Sequence, residues 1–226
     1  KIGQSVNLEI NLENRNSSKA NHSATHLLHE SLRRTLGKHV TQKGSLVSPE
    51  RLRFDFSHNK PIEKKEMVQI NKVVNQIVED STEVQTRIMT PKEAVKIGAL
   101  ALFGEKYGEE VRVVFMGKES NGFFSTELCG GTHVKNTKEV GKFKVISQSS
   151  IASGVRRVEA LRDKQLTKYE KSQKQHKSIK EKTNKDQLEK IKKELLTYKI
   201  KPDLNDNKDL AENLKILSKQ LEKIKI

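Results

Sequence analysis

His22-Ser23-Ala24-Thr25-His26 places two imidazoles four residues apart. On a helix, residues i and i+4 share a face with Cβ atoms about 5–6 Å apart, so both rings can reach one metal ion. With 7 histidines in 226 residues, chance supplies roughly 0.2 such pairs, so this motif alone is weak. His29 falls on the same face and is a rival donor. Taken alone, the segment reads more simply as ordinary helix histidines. Cys129-Gly130-Gly131-Thr132-His133 changes the balance, because the sole cysteine stands four residues before another histidine. Chance puts a histidine at that offset about 3% of the time. Gly130 and Gly131 tolerate positive φ, so a tight turn is expected to bring thiolate and imidazole onto one centre. Three imidazoles and one thiolate suit Zn2+, whereas Mg2+ and Ca2+ take oxygen donors. The plain alternative is a buried cysteine acting as a small hydrophobe.

These residues need elements to carry them. Residues 4–12 alternate Val6, Leu8, Ile10 and Leu12, the period of a half-buried strand. Asn16 or Ser17 is placed to cap a helix running to Leu36, with Gly37 as its stop. Ala20, Ala24, Leu27, Leu28 and Leu32 form its apolar stripe, and His22 and His26 ride on it. Residues 52–56 alternate as a strand. Pro61 opens a second helix to Asp80, with Met67, Ile70, Val73, Val74, Ile77 and Val78 inward. Residues 84–89 read as a strand, and Thr90-Pro91-Lys92-Glu93 as a capped helix start. Strands are expected over 110–116, 122–128, 141–147 and 155–161. Strands with inserted helices, without regular βαβ alternation, predict an α+β domain of antiparallel strands over residues 1–162.

Residues 163–226 differ in kind. They hold 18 Lys against 11 acidic residues and no glycine. Leu188, Ile191, Leu195 and Tyr198 form one seam of three- and four-residue steps, and Leu210, Leu214, Leu217, Leu221 and Ile224 form another. A Pro202-Asp203 break separates them, so an antiparallel helical or coiled-coil arm is expected, with self-association through it as one use. A solvated lysine-covered arm with no binding role is the bland reading. The whole chain carries 44 Lys+Arg against 29 Asp+Glu, a net charge of +15, which points to a polyanionic partner. No stretch approaches the roughly 20 apolar residues of a membrane helix. One cysteine excludes an internal disulfide. The opening Lys-Ile-Gly-Gln lacks the apolar core of a secretory signal, so a cytoplasmic piece of a longer protein is expected.

Six strings together carry a family resemblance: NHSATH at residues 21–26, TQKGS at 41–45, RFDFSHN at 53–59, ALFGEKY ending at Tyr107, FSTELCGGTH at 124–133 and GVRRVEA at 154–160. They resemble the editing domain of alanyl-tRNA synthetases over residues 1–162, and the lysine-rich tail is similar to the helical region that follows it. Threonyl-tRNA synthetase editing domains share the two His/Cys spacings but lack the other strings. The resemblance implies a zinc-dependent deacylase that hydrolyses serine or glycine from the 3′-terminal adenosine of alanine tRNA. Position by position it implies Zn2+ on His22, His26, Cys129 and His133, with Thr25 and Gln42 in the amino-acid pocket. It also implies that the ATP-dependent aminoacylation domain lies in cis elsewhere in a longer synthetase.

Such a site answers a physical limit. A pocket shaped for a methyl side chain rejects one missing methylene or one added hydroxyl by only about 1–3 kcal/mol. A second site that bonds the serine hydroxyl discriminates better, and Thr25 is placed to offer that bond. The competing role for Thr25 is a hydroxyl bonded to its own helix at i−4, and for Gln42 a polar turn residue. Zinc supplies a hydroxide or orients the substrate through its α-amino group. Four protein ligands are the count of a closed site, so His133 is expected to be loosely held or the ion to become five-coordinate. Glu127 is the nearest acidic residue, with a structural role equally in view. Arg33, Arg34, Lys43, Arg156 and Arg157 are the candidate phosphate contacts, each weighed against a plain surface charge. Three alternatives remain: a free-standing trans-editing deacylase, a zinc-stapled tRNA-binding module without catalysis, and a coiled-coil interaction protein.

Overall fold

The computed structural model describes residues 2–101, 107–205 and 207–224. Residues 102–106 of the ALFGEKY string lie outside the described residues. The first helix, α1 (Leu12–Leu36), starts earlier than Asn16. Asn11 is its cap, accepting from the Asn14 N–H at 2.9 Å, with Glu13 in the first turn where the helix dipole favours an anion. It stops at Gly37, whose N–H bonds to Arg33 O. The strand expected over residues 4–12 does not form. Val6, Leu8 and Ile10 stand 74%, 88% and 59% exposed, and Leu12 already belongs to the helix. Alternation creates a face, but a strand also needs a neighbour for its N–H and C=O groups. No strand among the described residues pairs with this segment.

The remaining strands of the α+β part form two antiparallel sheets. The first has the order β1 (Gln42–Val47), β2 (Leu52–Ser57), β7 (Val155–Arg162), β6 (Phe143–Ala152). The second has the order β3 (Gln85–Met89), β4 (Val111–Glu119), β5 (Gly122–Leu128). The second helix, α2 (Lys64–Glu79), begins three residues after Pro61. Glu63 sits at its cap, and Glu66 reaches back to the Glu63 N–H at 2.7 Å. The short α3 (Pro91–Lys96) starts as expected at Thr90, whose hydroxyl accepts from the Glu93 N–H.

One core joins α1, α2 and both sheets. Leu27, Leu28 and Leu32 of α1, Phe54 and Phe56 of β2, Ile70 and Val74 of α2, Met116 of β4 and Val158 of β7 are all buried in it. Val113 and Phe115 of β4 turn to a second, smaller core with Ala94 of α3 and Leu128. Strand β4 is therefore buried on both faces, which explains its continuous apolar run. Two asparagines of α2 fasten β6. Asn71 Oδ1 accepts from the Val145 N–H at 2.8 Å, and Asn75 bonds both the N–H and C=O of Phe143.

The chain divides into two compact units, Lys1–Thr167 and Lys168–Ile226. In the second, the part of α4 (Asp163–Thr197) beyond Thr167 and α5 (Leu210–Glu222) bury Leu188, Leu195, Leu217 and Leu221 together. The connection runs back along α5: the Asp203 N–H bonds Gln220 Oε1, and Asn213 Nδ2 bonds Asn205 O. Tyr198, expected in the seam, lies beyond the end of α4 and is 49% exposed. The helix stops one residue short of it, which removes it from the stripe. No described helix is long and apolar enough to cross a membrane.

Candidate metal centre

Helix α1 supplies His22 and His26, and the turn after β5 supplies Cys129 and His133. These segments, more than 100 residues apart in sequence, meet because α1 packs against β5. Ser23 fastens the contact. Its buried hydroxyl accepts from the Val134 N–H at 3.1 Å and lies 3.3 Å from His133 Nδ1. The four donor atoms all lie within 4.8 Å of one another. Cys129 Sγ stands 3.5 Å from His22 Nε2 and 3.3 Å from His133 Nε2.

Each imidazole is held by its other nitrogen. His22 Nδ1 meets Thr132 O at 3.3 Å, His26 Nδ1 meets Glu127 Oε2 at 2.8 Å, and His133 Nδ1 meets Ser23 Oγ. That pattern fixes the rings and leaves the Nε2 atoms for the centre, the usual arrangement behind a metal-ligating histidine. His26 Nε2 is buried without a hydrogen-bond partner among the described residues. An orphaned imidazole nitrogen facing a thiolate and two further imidazoles is the donor set of a zinc site. The residues present fit that ion.

Three supporting residues were not legible as such. Glu127, weighed above as an acid near the metal, has both oxygens engaged, by His26, by His29 Nδ1 at 3.2 Å and by the Ser125 hydroxyl at 3.2 Å. His29 thus stands behind the cluster and is not a donor in it. Arg112 donates through Nη1 to Cys129 O at 2.9 Å and Gly131 O at 2.7 Å, clamping the turn. Its only signal was a cation within the apolar run of β4. The glycines serve differently from expectation. Neither Gly130 nor Gly131 is among the positive-φ residues. Gly131 is needed for space, because a Cβ there would collide with the His22 ring.

The electrostatics of the side chains alone favour a thiolate. Burial opposes the charge on Cys129, but hydrogen bonds from His133 and His22 outweigh it and bring its pKa down to about 3. Burial, joined by the neighbouring His26 and His22, lowers His133 to about 4 and keeps it a neutral donor. Burial also opposes charge on His26, but Glu127 overrides it and raises that group to about 10. Glu127 stays ionised, held well below the usual carboxylate range by His26 and His29 against its own burial.

Thr25 is buried and its hydroxyl donates to Asn21 O at 2.8 Å, the i−4 bond weighed from sequence. Gln42 is half-buried at the start of β1 and donates to Ser45 Oγ at 3.3 Å. Neither hydrogen-bonds to the four-residue cluster. Ser45 lines a groove beside His22, together with Arg15, Ser18, Lys19, Val47 and Thr132. Most of the expected phosphate contacts are engaged within the protein. Arg33 bonds Val40 O, Arg34 pairs with Glu30 and Glu119, Arg156 bonds Gln148, and Arg157 makes a bidentate pair with Asp55. Lys43 is exposed on β1.

Comparison with known proteins fits this geometry. A family model described as the threonyl and alanyl tRNA synthetase second additional domain matches residues 111–159, which include Cys129 and His133. The chain is 56% identical over 164 residues to an alanine–tRNA ligase of Parvibaculum lavamentivorans, covering 71% of this chain and 18% of that protein. It is 52% identical over 174 residues to the alanine–tRNA ligase of Mesorhizobium japonicum, covering 75% of this chain and 20% of that protein. It is 54% identical over 161 residues to that of Sphingopyxis alaskensis, covering 71% and 18%. The chain therefore spans about a fifth of the length of these curated relatives.

Proposed function

We propose, from the premise that this chain belongs to the alanyl-tRNA synthetase family through its editing region, that it deacylates mischarged alanine tRNA. The substrates are the serine and glycine esters on the 3′-terminal adenosine, and the reaction is hydrolysis at a Zn2+ site. One observation carries the reading: His22, His26, Cys129 and His133 converge from two distant segments, with His26 Nε2 left buried and unpartnered. Those four residues would hold the ion, which when bound supplies a Lewis acid for the ester or its attacking water. Glu127 and Ser23 orient the rings, and Arg112 holds the turn that presents Cys129. Glu127 acts as a positioning residue, since histidines and a serine occupy both of its oxygens.

Access favours the His22 side. His22 and Cys129 are half-buried while His26 and His133 are buried, so His133 is a poor choice for the loosely held ligand. Thr25 and Gln42 are assigned to selecting serine over alanine and to positioning the ester. Support comes from Gln42's bond to Ser45 in the groove beside His22, and from the spare acceptor capacity of the Thr25 hydroxyl. The rest of the synthetase, with its ATP-dependent aminoacylation, is proposed to act in cis in the cytoplasm.

Incubation with Ser-tRNA(Ala), Gly-tRNA(Ala) and Ala-tRNA(Ala), with and without chelator, tests the reading. The expected result is hydrolysis of the first two, sparing of the third, loss with chelator and recovery with zinc. A closed set of four ligands is also that of a structural zinc. Tight tRNA binding with every ester left intact would establish that binding-module reading in its place.

A further inference from the structure

We propose that Arg15 and Lys19 grip the last two phosphates of the tRNA acceptor strand as its 3′ end enters the site, an inference that rests on the editing reading above. The groove beside His22 is lined on α1 by Arg15, Ser18 and Lys19. With His22 these positions step by three and four residues, so they form one stripe of the helix. At 1.5 Å per residue, Lys19 lies about 4.5 Å and Arg15 about 10 Å from His22 along the axis. Two cations thus stand at increasing distance from the candidate centre on a single face. An ester on the terminal ribose has a matching pattern of charge. Its nearest phosphate is the one on its own nucleotide, and the next lies one nucleotide back.

Among the described residues Arg15 is the arginine whose side chain is uncommitted, and Lys19 is an unpaired lysine that also lines the groove beside His22. Among the described residues, neither Arg15 nor Lys19 makes an ion pair or a side-chain hydrogen bond, whereas Arg33, Arg34, Arg112 and Arg157 are all engaged. An arginine in a bidentate carboxylate pair must give up charge-assisted bonds before it can hold a phosphate, and an uncommitted one need not. The alternative grip on a single strand is base stacking on aromatic rings. Among the described residues no Phe, Tyr or Trp lines this groove, and the two cations that do make its contribution electrostatic.

The test is fluorescence anisotropy of a short RNA hairpin ending in single-stranded CCA, titrated with the full chain at several salt concentrations. The double variant Arg15→Glu/Lys19→Glu is compared with Lys72→Glu, a reversal at an exposed lysine of α2. The double variant is expected to weaken binding at least about tenfold. Its salt slope is expected to fall by about 1.4, two contacts at about 0.7 each for a single strand. Zinc content of each protein checks that the fold is intact. Equal affinity and slope in the double variant, or the same loss in Lys72→Glu, overturns the proposal. So does a poly-glutamate peptide that displaces the RNA at matched charge concentration, because the surface would then be a general anion binder. A protein that binds RNA through these residues but deacylates no ester refutes the editing reading and leaves this inference standing.

Discussion

At the scale of single residues, the site depends on atoms that never touch the proposed ion. Glu127 holds His26 and His29 at once, so removing its charge releases both rings. Glu127→Gln is expected to weaken zinc binding about 10- to 100-fold, the usual effect of losing an outer carboxylate. Competition against a chelator of known affinity reads this directly. Unchanged affinity would mean that the carboxylate is only a structural partner. Gly131→Ala makes a sharper demand, because the new methyl must displace the His22 ring. The expected outcome is a stability loss of about 1–3 kcal/mol by overpacking, together with weakened metal binding. A variant that retains full zinc occupancy in chelator would show that His22 is free to move. Sequence spacing brought the four candidate donors forward with His29 as a rival, because i and i+4 positions on a helix and a short Cys-to-His turn are local geometry, and the family resemblance selected the four. It could not assign Glu127 or Arg112, since their partners lie 101 and 17 or 19 residues away.

At the scale of elements, α1 carries half the cluster and its position is set by packing. Phe54 of β2 is fully buried and its ring lies 5.1 Å from that of His29. Phe54→Ala is expected to cost about 3–5 kcal/mol, read as a shift in the urea midpoint at constant m-value. Asn75 bonds both backbone groups of Phe143 and so joins α2 to β6. Asn75→Ala strands those groups and is expected to cost about 1–3 kcal/mol in the same measurement. Helix and strand identities were largely legible from sequence, down to the agreement of β5 with the expected 122–128. The failure at residues 4–12 has a clear reason. Period-two alternation reports a face, but strand formation depends on a neighbour, and none of the described strands supplies one.

At the scale of the whole molecule, the cluster lies entirely within the unit Lys1–Thr167. A chain cut after Thr167 is therefore expected to bind one equivalent of zinc with the affinity of the full chain, measured by metal analysis after gel filtration. A marked loss of affinity would mean that the second unit supports the site. If residues 163–226 mediate self-association, the same truncation lowers the sedimentation coefficient to that of a monomer. The low apolar content of 33% averages two unlike parts. One part has a continuous core, and among the described residues the other buries four leucines with a rim of half-buried aliphatic side chains. By itself the sequence determined the donor types, their spacing on one helix and one turn, and the α+β composition of the elements, since these follow from local periodicity and covalent chemistry. Only the tertiary structure decided that the two half-sites meet, that Glu127 and Arg112 stand behind them, and which cations remain uncommitted. Those outcomes depend on pairings between residues far apart in the chain, which packing selects and no local pattern encodes.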